Sequence, residues 1–139
     1  MKKKYFLVVL FLILAMFLSG CGVITDEEKV RDVIDEYFLA ISEQEWDKAK
    51  SYCIYNSEVY CETCDFEDYI DSLYLDFSFV DIIFDVDIFD VNIIGNLASA
   101  HIDGSLTIIK DNQFITDDFS GYFYYLQKIS NDWKLCNWQ

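Results

Sequence analysis

Val30, Val33, Ile34, Tyr37, Phe38 and Ile41 recur at intervals of three and four residues, which lines them up on one face of a helix. Thr25 and Glu28 fit a T-x-x-E capping box just ahead of that face, with Asp26 and Glu27 where the positive end of the helix dipole favours acids. A first helix is therefore predicted to run to about Ile41. Ser42 and Glu45 fit a second capping box, and Ile41 with Trp46 occupies the two positions of a hydrophobic staple. Trp46, Ala49 and Cys53 would then face inward from a second helix. A third helix is predicted from near Asp65, burying Phe66, Tyr69, Ile70 and Leu73.

After Phe77 the period changes to two. Phe84, Val86 and Ile88 alternate with Asp85 and Asp87, and then Phe89, Val91 and Ile93 alternate with Asp90 and Asn92 on the opposite parity. A slip of one residue marks a β-bulge, which keeps the apolar set on one face while bending the strand. Gly95 with Asn96, residues 110–112 and residues 130–132 supply tight turns. The strands between them, 97–109, 114–129 and 133–138, include runs longer than the usual ~5 to 6 residues. Helices followed by long antiparallel strands predict an α+β fold: three N-terminal helices packed in the concave face of a curved, bulged antiparallel sheet of about four long strands.

The first twenty residues follow a different logic. Lys2, Lys3 and Lys4 precede an apolar stretch at 5–18, and Ser19 and Gly20 are small, the layout of a secretory signal. Fourteen apolar residues fall short of the ~20 that cross a membrane as a permanent helix. Leu18, Ser19, Gly20 and Cys21 resemble the lipobox of bacterial lipoproteins. That resemblance implies cleavage before Cys21, a diacylglycerol thioether on its sulfur, and attachment to the extracytoplasmic side of a membrane in the bacterial cell envelope. Two acyl chains hold a protein stably where one gives marginal binding. The expected organisation is a signal peptide at 1–20, the lipidated cysteine and a short tether at 21–25, and one domain at 26–139. Gly22, Val23, Ile24 and Thr25 reach only ~14 Å when extended, so the domain would sit close to the bilayer.

Charge narrows the partners. The whole chain carries −15, and loss of the leader removes three of the ten basic residues and none of the 25 acidic ones, leaving −18. Nucleic acid is excluded as a partner, because phosphate binding begins with clustered Lys and Arg. Anionic headgroups would repel the domain, leaving attachment to the lipid alone. Twelve Phe, ten Tyr and three Trp, most of them beyond the leader, describe a packed globule.

Residues 33–52 with the pattern VIDEYFLAISEQEWDKAKSY, a third helix, and long bulged strands ending in YFYYLQKISNDWKLCNW resemble the nuclear transport factor 2-like, or ketosteroid-isomerase-like, superfamily with its cystatin-like cone. The resemblance implies a curved sheet wrapped around the first helix, with a pocket between them.

Several groups are candidates for chemistry. Cys53, Cys61, Cys64 and Cys136 allow two disulfides in three connectivities; if the last strand lies beside the second helix, Cys53 with Cys136 and Cys61 with Cys64 is one set. A redox CxxC needs a stabilised thiolate, whereas CETC is bracketed by Glu62, Asp65 and Glu67 and the chain has no proline. A four-thiolate zinc site would need a second CxxC. His101 and Asp103 share a strand face at i, i+2, which fits either an oriented base or a polar pair on the solvated side. Asp85, Asp87, Asp90 and Asn92 hint at calcium but alternate with apolar residues, as on a solvated strand edge. Asp117 and Asp118 fall mid-strand, where one should face the core unless a bulge turns both outward. No cofactor is implied. The residues point to a non-catalytic module that binds a small apolar ligand, a peptide or an envelope protein. The alternative is a small-molecule enzyme of the ketosteroid-isomerase-like type with Asp117, Asp118 or His101 as acid or base.

Overall fold

The computed structural model describes residues 24–74 and 79–137; the lipobox and Cys21 lie outside them. Thr25 caps α1 (Asp26–Ser42) with both halves of the capping box formed: the Glu28 amide donates to Thr25 Oγ1 at 3.2 Å and the Thr25 amide to Glu28 Oε2 at 2.7 Å. Val30, Ile34, Tyr37, Phe38 and Ile41 form its buried face, as their spacing predicts.

The second capping box does not form. Helix α1 continues through Ser42, and α2 (Trp46–Ser51) starts after Glu45, whose side chain makes no cap bond. The corner is held instead by Gln44, at φ 58°, whose Nε2 donates to the Val80 carbonyl at 2.9 Å while Oε1 accepts from Tyr74 at 2.7 Å. The third helix, α3 (Glu58–Leu73), begins seven residues earlier than predicted, because Ser57 accepts the Tyr60 amide as its N-cap. Among the described residues no helix is long and apolar enough to cross a membrane.

Four antiparallel strands follow as a meander in the order β1 (Val80–Ile94), β2 (Leu97–Lys110), β3 (Gln113–Ile129) and β4 (Asp132–Leu135). Helix α1 crosses the inner face of this curled sheet, touching β1, β2 and β4; α2 packs on α1, and α3 on α2. Ala98, Ala100 and Ile102 from β2, Leu126 from β3, and Trp133 and Leu135 complete the core with α1. The last strand is only four residues long, and its final residue, Leu135, bridges to Cys53 in the chain after α2.

Two bulges at the same level curl the sheet. On β1 the register slips between Ile88 and Asp90, where the alternation of the sequence places it. Arg31 of α1 donates to the freed carbonyls of Ile88 at 2.8 Å and Phe89 at 3.4 Å. On β3, Ser120 and Gly121 stand against Asp103 alone; Gly121 has φ 73°, and its amide donates to Asp103 Oδ1 at 2.6 Å. Each bulge adds twist and bends its strand around α1.

Candidate functional site

Beyond the bulges the β3 side of the inner face is left open, while Val80, Ile82 and Ile108 on β1 and β2 stay buried. Phe38 of α1, Phe84 of β1, Ile102 and Leu106 of β2, and Asp117, Phe119, Tyr122 and Tyr124 of β3 enclose about 230 Å³. Pairing of Leu106 with both Phe84 and Asp117 brings residues from three strands to one level. Phe38 meets Phe84 at 4.9 Å and Tyr124 at 5.7 Å, the latter edge to face, and Phe119 meets Tyr122 edge to face at 5.9 Å. These are the preferred geometries for aromatic pairs, so the wall is packed before any ligand arrives.

Gly104 makes the floor. A Cβ there would collide with the Asp85 carbonyl and lie 2.8 Å from Phe119 Cζ, so only glycine lets the Phe119 ring lie across β2. Asp117 is exposed and is the one ionisable carboxyl among the lining residues. Burial pushes the Tyr124 hydroxyl well above the ordinary tyrosine range, with the nearby Glu62 charge adding to it. A second depression, of 480 Å³, is lined by Gln44, Glu45, Trp46, Asp47, Lys48 and Glu67. It is an open charged surface on which Lys48 already pairs with Glu45 at 3.0 Å.

Behind the cavity lies a buried polar strip. Tyr37 and Thr63 hydroxyls meet at 2.9 Å, Thr63 donates to the Val59 carbonyl at 2.7 Å, and Cys53 packs in the same core with its Sγ 3.7 Å from the Ala49 carbonyl. Burial pushes the Cys53 thiol from an ordinary 9.0 up to about 12 and raises the Tyr37 hydroxyl in the same direction. Groups held neutral in this way support the core.

The other predicted groups are dispersed. Cys61 is exposed and Cys64 half-buried in the first two turns of α3, both as free thiols, and Cys53 is a free thiol too. Cys136 is buried, its Sγ 3.3 Å from the Tyr125 carbonyl. Cys53 and Cys136 do lie on neighbouring segments, through the Cys53–Leu135 bridge. His101, Asp103 and Asp118 all project from the outer face of the sheet, by their register against β1 and β3. His101 Nε2 is 3.9 Å from Asp103 Oδ1, beyond a hydrogen bond, and its ring stacks on Phe123 at 4.9 Å and 13°. Asp103 is engaged by the Gly121 amide. Asp85, Asp87 and Asp90 are spread along the outer face of β1, and among the described residues no three His, Cys, Asp or Glu side chains converge as a metal site.

Asp117 and Asp118 are not both turned outward. The β3 bulge lies after them, so their alternation is unbroken and Asp117 reaches the inner face. Sequence reasoning missed Gly104, Phe119, Tyr122 and Tyr124 as cavity residues. A glycine inside a strand was the available signal.

No family model matches the chain, and no curated protein matches it. Solved structures that share the fold include the following three. A conserved protein from Planctomyces limnophilus aligns with a TM-score of 0.62 at 12% identity, over 80% of this chain and 91% of its own. The intermembrane space region of the chloroplast protein ARC6 aligns at 0.55 and 11%, over 81% and 94%. Rv3472, a function unknown protein from Mycobacterium tuberculosis, aligns at 0.55 and 10%, over 83% and 74%. At these identities the likeness is one of fold alone.

Proposed function

We propose that this chain is an extracytoplasmic lipoprotein, anchored through Cys21, whose α+β domain is a nuclear transport factor 2-like binding module for a small, largely apolar ligand. The observation that carries the binding reading is the open aromatic cavity of about 230 Å³ on the inner face of the sheet. An apolar cavity of ~150 Å³ takes up benzene, so this one has room for a single ring with a small substituent. It falls below the ~300 Å³ at which pockets for drug-sized ligands begin. A fused multi-ring substrate of the ketosteroid type would extend out of this cavity into solvent.

The enzymatic alternative retains only Asp117 as an acid in the cavity, since His101, Asp103 and Asp118 lie on the other face. A base needs a substrate atom within hydrogen-bond reach and a group that orients it. Among the described residues Asp117 makes no hydrogen bond or ion pair to such a group. Binding is therefore preferred over turnover.

The two halves of the proposal are tested separately. Intact mass spectrometry of native material should find a diacylglycerol on Cys21, and Cys21→Ser should release the protein from membranes; a bare thiol in a membrane-free product refutes the anchor. Titration with single-ring fragments should move the ring resonances of Phe38, Phe84 and Phe119 saturably. A fragment set that leaves all three unmoved refutes the binding site.

A further inference from the structure

We infer that the cavity is built for an organic ammonium, a small amine or quaternary nitrogen carried on an apolar body. The inference rests on the reading of the cavity as a small-ligand site and names its ligand class. Three observations carry it.

The first is the lining. Phe38, Phe84, Phe119, Tyr122 and Tyr124 surround the space, and two of their contacts are near-perpendicular, at 87° and 83°. The rings thus form corners of a box whose walls include aromatic faces. Each face carries the negative part of the ring quadrupole, which attracts a cation held within ~6 Å of the ring centre.

The second is the rim. Among the described residues Asp117 is the one charged side chain in the lining, and it is exposed to solvent. Glu62 is close enough for its charge to act on Tyr124 in the wall. A low-dielectric cleft bordered by charges of one sign concentrates ligands of the other.

The third is the placing of the chain's own cations. Arg31 is committed to Glu27 and the β1 bulge, Lys50 to Glu67, and Lys128 to Asp26. Lys110, at the far end of β2, stands four residues from Leu106, roughly 13 Å along the strand at ~3.3 Å per residue. No positive side chain lines the cavity. In a chain of net charge −15, an anionic ligand would enter against both the local and the overall field.

The test uses the full chain in a non-ionic maltoside detergent, with ¹³C-labelled Phe and Tyr rings read by NMR. Three probes are titrated: benzyltrimethylammonium, its neutral carbon isostere neopentylbenzene, and the anion phenylmethanesulfonate. The expected result is saturable movement of the Phe38, Phe84, Phe119, Tyr122 and Tyr124 resonances, with the cation binding about tenfold more tightly than the isostere. Asp117→Asn should remove most of that preference and leave the neutral probe unchanged. Added salt should weaken the cation alone. Equal or tighter binding of the neutral or anionic probe overturns the ammonium inference while leaving the small-ligand reading intact. Silence of all five rings toward every probe overturns both.

Discussion

Past the level of Gly104 the inner face of the sheet changes character on β3. Toward the β1–β2 turn, Ala98, Ala100 and Ile102 are buried under α1, and Leu126 across the strand has no exposed surface. Toward the β2–β3 turn, Val80, Ile82 and Ile108 on β1 and β2 stay buried, whereas Leu106 is only half-buried and Ile115, on the same face of β3, is 61% exposed. β3 thus belongs to a packed core at one end and to an open cup at the other. Length explains the difference. The 17 residues of α1 span about 25 Å at ~1.5 Å each, whereas the 14 residues of β2 span about 46 Å at ~3.3 Å each. One helix laid obliquely across such strands cannot cover them all, and the uncovered part of β3 borders the cavity.

The contrast breaks most directly under matched truncations. Leu126→Ala, at the packed end, should cost about 3 to 4 kcal/mol in urea unfolding, because a fully buried leucine leaves a hole its neighbours cannot fill. Leu106→Ala, at the cup, should cost roughly 1 kcal/mol, since its side chain already borders open space. Equal losses would mean that the two ends are one core.

Gly104→Ala strikes the boundary between them. The added methyl meets the Asp85 carbonyl and the Phe119 ring, and backbone cannot move aside as a flexible side chain does. Overpacking of this kind should cost about 2 kcal/mol, read as a lower melting temperature. It should also shift the Phe119 resonances. Stability unchanged by the methyl would show that the ring does not need to lie across β2.

The packed end also carries a pH signature, set first by Cys53. Burial raises the Cys53 thiol from 9.0 to about 12 in the folded protein. The unfolded chain therefore loses this proton first, so the stabilisation is fully present below pH 9 and falls as pH climbs toward 12. By pH 10 the loss should be about 1.4 kcal/mol, and Cys53→Ala should abolish that increment between pH 7.5 and 10. The raised Tyr37 and Tyr124 hydroxyls act in the same direction at higher pH. An alkaline slope that survives Cys53→Ala would assign it to other groups.

The packed end was the legible end. The Thr25–Glu28 capping box, the α1 stripe and the β1 bulge are local patterns, fixed by neighbours in the sequence, and each appears in the structure where the sequence places it. The α3 start was misplaced because Ser57 lacks an acid three residues on, so its cap has no box to announce it. The Ser42 box failed because α1 extended over it and Gln44 found partners on Val80 and Tyr74, contacts between distant parts of the chain. The cup was illegible for the same reason. Phe38, Phe84 and Phe119 lie on three elements and come together only when both bulges have curled the sheet.

That curling depends on Asp103, which separates a structural reading of the His101–Asp103 pair from a catalytic one. Asp103 Oδ1 accepts the Gly121 amide at 2.6 Å, satisfying a backbone donor that the bulge has removed from the ladder. Asp103→Ala leaves that donor to water and should cost about 1 kcal/mol. Asp103→Asn keeps an acceptor oxygen in place and should cost nearly nothing. Loss of the carboxylate alone therefore leaves the bulge, the curl and ligand binding in the cup intact. A carboxylate that oriented His101 as a base would behave oppositely, since the amide cannot stabilise an imidazolium. If Asp103→Asn weakened the protein or the cup as much as Asp103→Ala, the charge itself would matter, and the outer face would have to be counted with the inner one as a working surface.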